Sequence, residues 1–233
     1  MDKSYDDAFS QIADLKWLPW VGENYNDNNI RILVVGESHY HDNTQQTINS
    51  SHSTSFTREV VNDLAINSLN KRSPFFQNFH LALLETNEFD STKFWNQVAF
   101  YNFIQKPMTT SMGRPPRQDF VDGWKVFFET IRILKPTLCI FVGTTAANYY
   151  SNSIKSPFYK DFEIQWNDRI GNAYAKSTEL YDESGNSTKV VFIKHTSKYF
   201  NWMNWNIYLR NKVPDELRWL SYLINSRDTD TIS

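Results

Sequence analysis

Four short apolar runs constrain the fold of this chain more than any other feature. Each run is rich in β-branched and aromatic side chains and is bounded by turn or helix signals, which is typical of buried strands. The runs are "IRILVVG" (30–36), "QVAFYNF" (97–103), "TLCIFVG" (137–143) and "KVVFIKH" (189–195). They predict a sheet whose strands are covered by other elements.

Helical patterns separate the predicted strands. In "DFVDGWKVFFETIRILKP" the apolar residues from Phe120 to Leu134 recur at the 3.6-residue spacing of an amphipathic helix, which Pro136 is expected to end. Weaker helical patterns cover residues 57–70, 75–87 and 214–225. Strands that alternate with helices predict an α/β fold with three α/β/α layers around a central, mostly parallel four-stranded sheet.

Residues 151–188 show no long periodic pattern. The turn cluster in "YDESGNSTKVV" lies between two β-prone runs and predicts a hairpin that leads into the last strand, with an antiparallel edge. A chain of 233 residues is long enough for one substantial core, so we expect a single domain over residues 1–233.

Composition narrows the class of protein. The formal charge of -2 is unlike that of a strongly basic nucleic-acid binder, although a local basic groove is compatible with it. The single cysteine, Cys139, lies in an apolar run, which predicts a buried structural thiol and excludes a multi-cysteine metal or iron–sulfur site. The first twenty residues lack a basic region followed by an apolar core, and no apolar run has membrane-spanning length, so we expect a cytoplasmic monomer.

Polar residues follow all four predicted strands. In an open parallel sheet, ligands bind outside the carboxyl ends of the strands, so these residues are expected to meet at one edge. They are Glu37, Ser38, His39, Tyr40, His41, Asp42, Asn102, Thr144, Thr145, His195, Thr196 and Ser197. Taken singly, each could equally be a helix cap or a loop anchor.

Two chemistries unrelated to nucleobases are open at this edge. His39 and His41 with Asp42 have metal-ligand side chains, but residues two apart point the same way only in an extended strand, and no second carboxylate cluster follows a strand. Ser38 and His195 could form a nucleophile and base, although the "G-x-S-x-G" elbow that exposes such a serine is missing. Our prediction is that there is no metal and no cofactor.

Taken in order, the segments resemble the uracil-DNA glycosylase superfamily. The family carries "GQDPYH" after its first strand, where this chain has "GESHYH" from Gly36 to His41. The segments "SFTREVVNDL" and "FYNFIQKP" resemble the family's base-stacking and base-reading segments. The passage "IRILKPTLCIFVGTTAA" resembles its "L-x-P-x-x-I-x-x-L-G-x-x-A" pattern, and "KHTSKYFNW" stands where the family has "HPS" and a DNA-probing loop. The resemblance covers about residues 30–205.

The resemblance implies a role for each matching residue. Phe56 would stack on an extruded base, Asn102 would read its edge, Tyr40 beside Gly36 would exclude the thymine methyl group, and His195 would stabilise charge on the departing base. The loop residues Thr196, Ser197 and Lys198 would contact DNA. Further basic residues expected near this face are Arg58, Lys106, Arg114, Arg117 and Lys194.

The departures from the family bear on catalysis. The family's water-activating aspartate falls on Ser38, which cannot act as a base near neutral pH without a partner, so Glu37, His39, His41 or Asp42 would have to supply one. After His195, the aromatic residues Tyr199, Phe200 and Trp202 either stack on bases or close the core, and we favour the core.

Three functions therefore remain open, the last of them a hydrolase or metal-dependent enzyme built on "SHYHD" and unrelated to bases. The first is a hydrolase of DNA repair that flips a deaminated base such as uracil and cleaves its N-glycosidic bond. The second is a binding module that keeps the pocket without the chemistry and recognises nucleic acid, a nucleotide or a protein. The expected partner is DNA, including single-stranded DNA, or a free nucleobase.

Overall fold

A computed structural model gives the fold. It describes residues 1–40, 44–67, 73–108, 113–150, 154, 156–197 and 199–225, without the side chains of Gln46 and Thr47. Seven strands form one mixed sheet in the order β1-β3-β2-β4-β7-β6-β5. The strands are β1 (Trp20–Val21), β2 (Ile32–Gly36), β3 (Val98–Asn102), β4 (Leu138–Val142), β5 (Gln165–Ile170), β6 (Ala173–Tyr181) and β7 (Ser187–Ile193).

The four predicted strands form the centre of this sheet. β3, β2, β4 and β7 are neighbours and run parallel, with Ile32 opposite both Val98 and Leu138. Their side chains are almost entirely buried, as the apolar runs predict. The α/β class and the parallel centre are therefore confirmed.

The predicted number of four strands is wrong. β1 adds an antiparallel edge beside β3, and β5 and β6 extend the other side antiparallel to β7. β1 has only two residues, too few for a periodic signal, and β5 is mostly exposed and polar, as an outer strand can be. The predicted hairpin before the last strand is present, with its turn at Asp182 to Asn186.

Helices precede, separate and follow the strands. They are α1 (Asp6–Phe9), α2 (Gln45–Ser50), α3 (Phe56–Val61), α4 (Pro74–Leu84), α5 (Ser91–Trp95), α6 (Arg117–Leu134), α7 (Thr145–Asn148), α8 (Trp202–Lys212) and α9 (Pro214–Asn225). α3 continues as a π-helical turn over Asn62–Ile66. α6 ends as predicted, because Lys135 adopts a left-handed conformation before Pro136.

Two apolar clusters cover the two faces of the sheet. One packs α4, α8 and α9 against Val34, Ile140 and Ile193, and the other packs α6 against Val35 and Phe141. Cys139 is buried in the second cluster, as predicted, and burial raises the pKa of its thiol. Among the described residues, no helix combines the length and apolar composition needed to cross a membrane.

Candidate functional site

The polar stretch after β2 is held in place by backbone pairing. Beyond Gly36 the chain keeps pairing with the segment after β3, because Phe103 donates to Gly36 O and Ile104 to Glu37 O, both at 2.9 Å. Met108 then donates to His39 O at 2.8 Å. Backbone hydrogen bonds of this kind fix side-chain directions, so this edge is a preformed scaffold.

Asn102 lies directly over Gly36 at the carboxyl ends of β3 and β2. A Cβ atom on Gly36 would come within 2.1 Å of Asn102 Oδ1 and 3.1 Å of Phe100 Cζ, so only glycine leaves room for the amide. Asn102 is 4% exposed. Its side-chain amide makes no hydrogen bond with the described residues, whereas its backbone carbonyl accepts one from Gln105. A nearly buried amide that has no partner among the described residues is a candidate ligand-reading group.

The space above Gly36 yields a stability prediction. Gly36→Ala should lower the free energy of unfolding by about 1–3 kcal/mol, because the added methyl group overlaps Asn102. Urea denaturation of Gly36→Ala and of Gly36→Ala/Asn102→Ala measures this. The double variant should recover part of the loss, and equal losses in both would show that Asn102 is not the obstacle.

His195 lies two residues after the end of β7 and is held by Ser197. The Ser197 backbone N–H donates to His195 Nδ1 at 3.3 Å, and Ser197 Oγ lies 2.9 Å from the same atom. Burial, and then the nearby Arg114 charge, lower the pKa of His195 to about 4. The ring is therefore neutral at pH 7, and because Nδ1 accepts, its proton resides on Nε2.

Phe75, in the first turn of α4, was not predicted as a site residue. Its ring lies 5.3 Å from the His195 ring and 6.4 Å from the Phe100 ring, and Phe75 is only partly buried. Thr196 ties the two segments together by donating to Phe75 O at 2.8 Å. The Phe75 ring therefore lies between His195 and Phe100, and Phe100 in turn lies next to Gly36, on which Asn102 packs. The run "SPFFQNFH", a helix start rich in aromatics, was the available sequence signal.

Glu37 is the buried carboxylate of this edge. Burial raises the pKa of its carboxyl group, while Arg114 and a hydrogen bond from Thr145 act in the opposite direction. Arg114 Nη1 lies 4.0 Å from Glu37 Oε2, and the side chain of Arg114 is 80% exposed. Burial and the Glu37 charge raise the pKa of Tyr40 against the opposing Arg114 charge, and burial followed by the Arg114 charge lowers the pKa of His195. One exposed cation therefore acts on three segments of the edge.

Ser38 and His39 are engaged elsewhere. Ser38 Oγ donates to Lys106 O at 2.6 Å and has no contact with His195, which speaks against a serine nucleophile activated by that histidine. His39 is buried, with Nε2 2.9 Å from Thr57 Oγ1, and burial lowers the pKa of its imidazole to about 3. Among the described residues, no group of three His, Cys, Asp or Glu side chains could hold a metal ion.

The structure brings some predicted base-binding residues together and separates others. Tyr40 is partly exposed and its backbone bridges to Met108. Phe56 instead packs against His39, with ring centroids 4.6 Å apart, and against Trp17. It therefore lies among buried rings rather than in the ring contacts that join Phe75 to His195 and Phe100. His41, Asp42 and Lys198 lie outside the described residues.

Several predicted DNA contacts have other environments. Thr196 is fully buried, so its side chain anchors the loop instead of contacting DNA. Arg58 is buried in an ion pair with Asp6, and this ion pair excludes Arg58 from phosphate contact. The prediction that Tyr199 packs in the core is wrong, because its side chain is 94% exposed and its backbone has a φ of 55°. Phe200 and Trp202 do pack on the core, and Phe200 stacks on Trp205.

Comparisons with known proteins add no assignment. No protein-family model matches the chain, and a search of curated proteins finds no match.

Proposed function

We propose that the carboxyl edge of the sheet binds a nucleobase extruded from DNA and hydrolyses its N-glycosidic bond. The observation that carries this proposal is the Asn102 amide, which is nearly buried against Gly36 and makes no hydrogen bond with the described residues. A side-chain amide offers an NH2 group that donates and a carbonyl oxygen that accepts, and these match the C=O and N–H groups that uracil or hypoxanthine presents at its pairing edge.

The neighbouring groups suit the remaining steps. The partly exposed Phe75 ring offers an aromatic face on which a base can stack. The neutral His195 can donate from Nε2 to a base oxygen as negative charge develops on the leaving base. On this proposal Glu37, whose pKa is raised by burial, activates the water, and Arg114 attracts a phosphate.

A second candidate function is base binding without catalysis. Ser38 favours it, because the resembling family has its water-activating aspartate there, whereas Ser38 Oγ donates to Lys106 O and is no base. On this alternative, Asn102, Phe75 and His195 would form a recognition pocket for a modified base.

Base release from labelled oligonucleotides tests the proposal. Single- and double-stranded substrates carrying uracil, hypoxanthine or xanthine are incubated with the wild type and with the Asn102→Ala and His195→Ala variants. We expect release of at least one base, slowed about 10- to 100-fold by each substitution, because each removes a hydrogen bond to the base.

The control is Asn62→Ala, which removes an exposed asparagine beyond α3 and should leave the rate unchanged. The binding function would replace hydrolysis as the proposal if two results were found together. The wild type would release no base, and Asn102→Ala would weaken a binding that depends on the base. Release that survives both site substitutions would contradict this placement of the active site.

A further inference from the structure

The hairpin of β5 and β6 carries an exposed aromatic and cationic face. Trp166 and Tyr174 are 62% and 45% exposed, and their ring centroids lie 5.5 Å apart. Lys176 Nζ lies 4.1 Å from the centroid of the Trp166 ring, and the guanidinium carbon of Arg169 lies 6.0 Å from that of Tyr174. We call these four residues the hairpin platform.

A bulge in β5 creates this face. Side chains alternate between the faces of a strand, so Trp166 and Arg169, three positions apart, would normally point in opposite directions. The pairing register of β5 shifts by one residue between them, and this extra residue returns Arg169 to the face of Trp166. Asn167, within the bulge, faces α8 instead, where the Tyr208 hydroxyl donates to Asn167 Oδ1 at 3.0 Å.

The platform is joined to the β4 end of the candidate site. Lys176 Nζ donates to Thr144 O at 3.1 Å and also to Asn148 Oδ1. The next residue, Thr145, donates a hydrogen bond to Glu37. Because Lys176 is almost fully buried beneath an exposed indole, the outer face of Trp166 is left open to solvent.

The hairpin turn is joined to the β7 end of the same site. Lys194, next to His195, donates from Nζ to Asn172 Oδ1 at 2.9 Å and to Tyr199 O at 2.8 Å. Asn172 lies in the turn between β5 and β6. The hairpin therefore borders the carboxyl edge on which the proposed base pocket lies.

We infer that the hairpin platform binds single-stranded DNA that flanks the nucleotide in the site, an inference that rests on the proposed function. Exposed aromatic rings with interleaved cations are the surface on which successive unpaired bases stack while their phosphates are attracted. Duplex DNA keeps its bases stacked inside and offers such rings no partner. Arg169 is the exposed cation of the platform and can attract the phosphate backbone.

Fluorescence anisotropy with labelled oligothymidylate of about 16 nucleotides measures platform binding without any cleavable base. Trp166→Ala and Tyr174→Ala should each weaken binding about tenfold, and Trp166→Phe should restore most of the affinity, because stacking needs an aromatic ring. Tyr222→Ala is the matched control, since Tyr222 is an exposed aromatic residue on α9 and should have no effect. An abasic oligonucleotide of equal length should bind at least tenfold more weakly than oligothymidylate.

The outcomes separate this inference from the proposed function. The platform would be overturned, even if base release is observed, if Trp166→Ala bound oligothymidylate as tightly as the wild type does. It would also be overturned if the wild type bound the abasic strand or duplex DNA as tightly as oligothymidylate. A Trp166-dependent dimer in sedimentation velocity would assign the face to a second copy of the chain and would also overturn it. Conversely, Trp166-dependent binding by a protein that releases no base would support the platform and count only against hydrolysis.

Discussion

Acidification from pH 7.5 to pH 5.0 should lower the free energy of unfolding by about 4 kcal/mol through His39 and His80 alone. Burial lowers the pKa of each imidazole to about 3, whereas the unfolded chain titrates near pH 6.5. Between these values the unfolded state binds more protons, so stability is lost as the pH falls below about 6.5. His195 acts with the same sign, and Glu37, with its raised pKa, acts with the opposite sign.

His80 allows this prediction to be isolated. Within the described part of the chain its Nε2 has no hydrogen-bond partner. Aromatic rings surround it: Phe76, Phe79, Phe89, Phe94 and Trp95. Replacing it with phenylalanine keeps the aromatic packing and removes the titrating group. His80→Phe should therefore lose about 2 kcal/mol less than the wild type over the same pH interval.

Urea denaturation followed by tryptophan fluorescence at both pH values measures the difference. His52→Phe is the matched control, because it replaces an exposed histidine and should keep the wild-type dependence on pH. If His80→Phe and the wild type lose the same stability on acidification, the buried histidine is not a source of acid lability.

The central strands and α6 could be predicted because burial leaves a strong trace in the sequence. β2 and β4 are continuous apolar runs, and α6 repeats its apolar residues at helical spacing. β1 and β5 could not be predicted, since one has two residues and the other is polar and mostly exposed. The hairpin of β6 and β7 could be located only by its turn residues, because apolar and polar residues alternate only weakly along β6.

The candidate site could be predicted where it depends on strand ends. Parallel strands place Gly36, Glu37, Asn102 and His195 at one edge, and the spacing along the chain identifies these positions. Phe75 reaches this edge from the start of a helix, and no strand pattern points to it.

The side-chain environment was the harder part of the site to predict. His39 and Phe56 are of suitable residue types for a site, yet both pack inward against Trp17. Arg58 is likewise basic but buried in an ion pair. Sequence gives the residue type at an edge, whereas packing decides which side chains remain available for a ligand.

The largest functional effect is expected from Glu37→Gln. If Glu37 activates the attacking water, this nearly isosteric change should lower the single-turnover rate of base release about 10²- to 10⁴-fold. Affinity for the oligonucleotide should change little, because the amide fills the same space without acting as a base. Glu88→Gln makes the same chemical change at an exposed carboxylate and should leave the rate unaltered.

The pH dependence of the rate adds an independent test of Glu37. Only the ionised carboxylate can take a proton from water, so the wild-type rate should rise with pH through the pKa of Glu37, which burial raises, and then level off. The pKa of His195, lowered to about 4 by burial and then by Arg114, lies below that of Glu37, so the histidine loses its proton at lower pH than the carboxyl group. Arg114→Gln removes the nearby cation that lowers the pKa of Glu37, so it should move the rise to higher pH. A rise that stays at the same pH in Arg114→Gln, or a rate unchanged in Glu37→Gln, would show that another group activates the water.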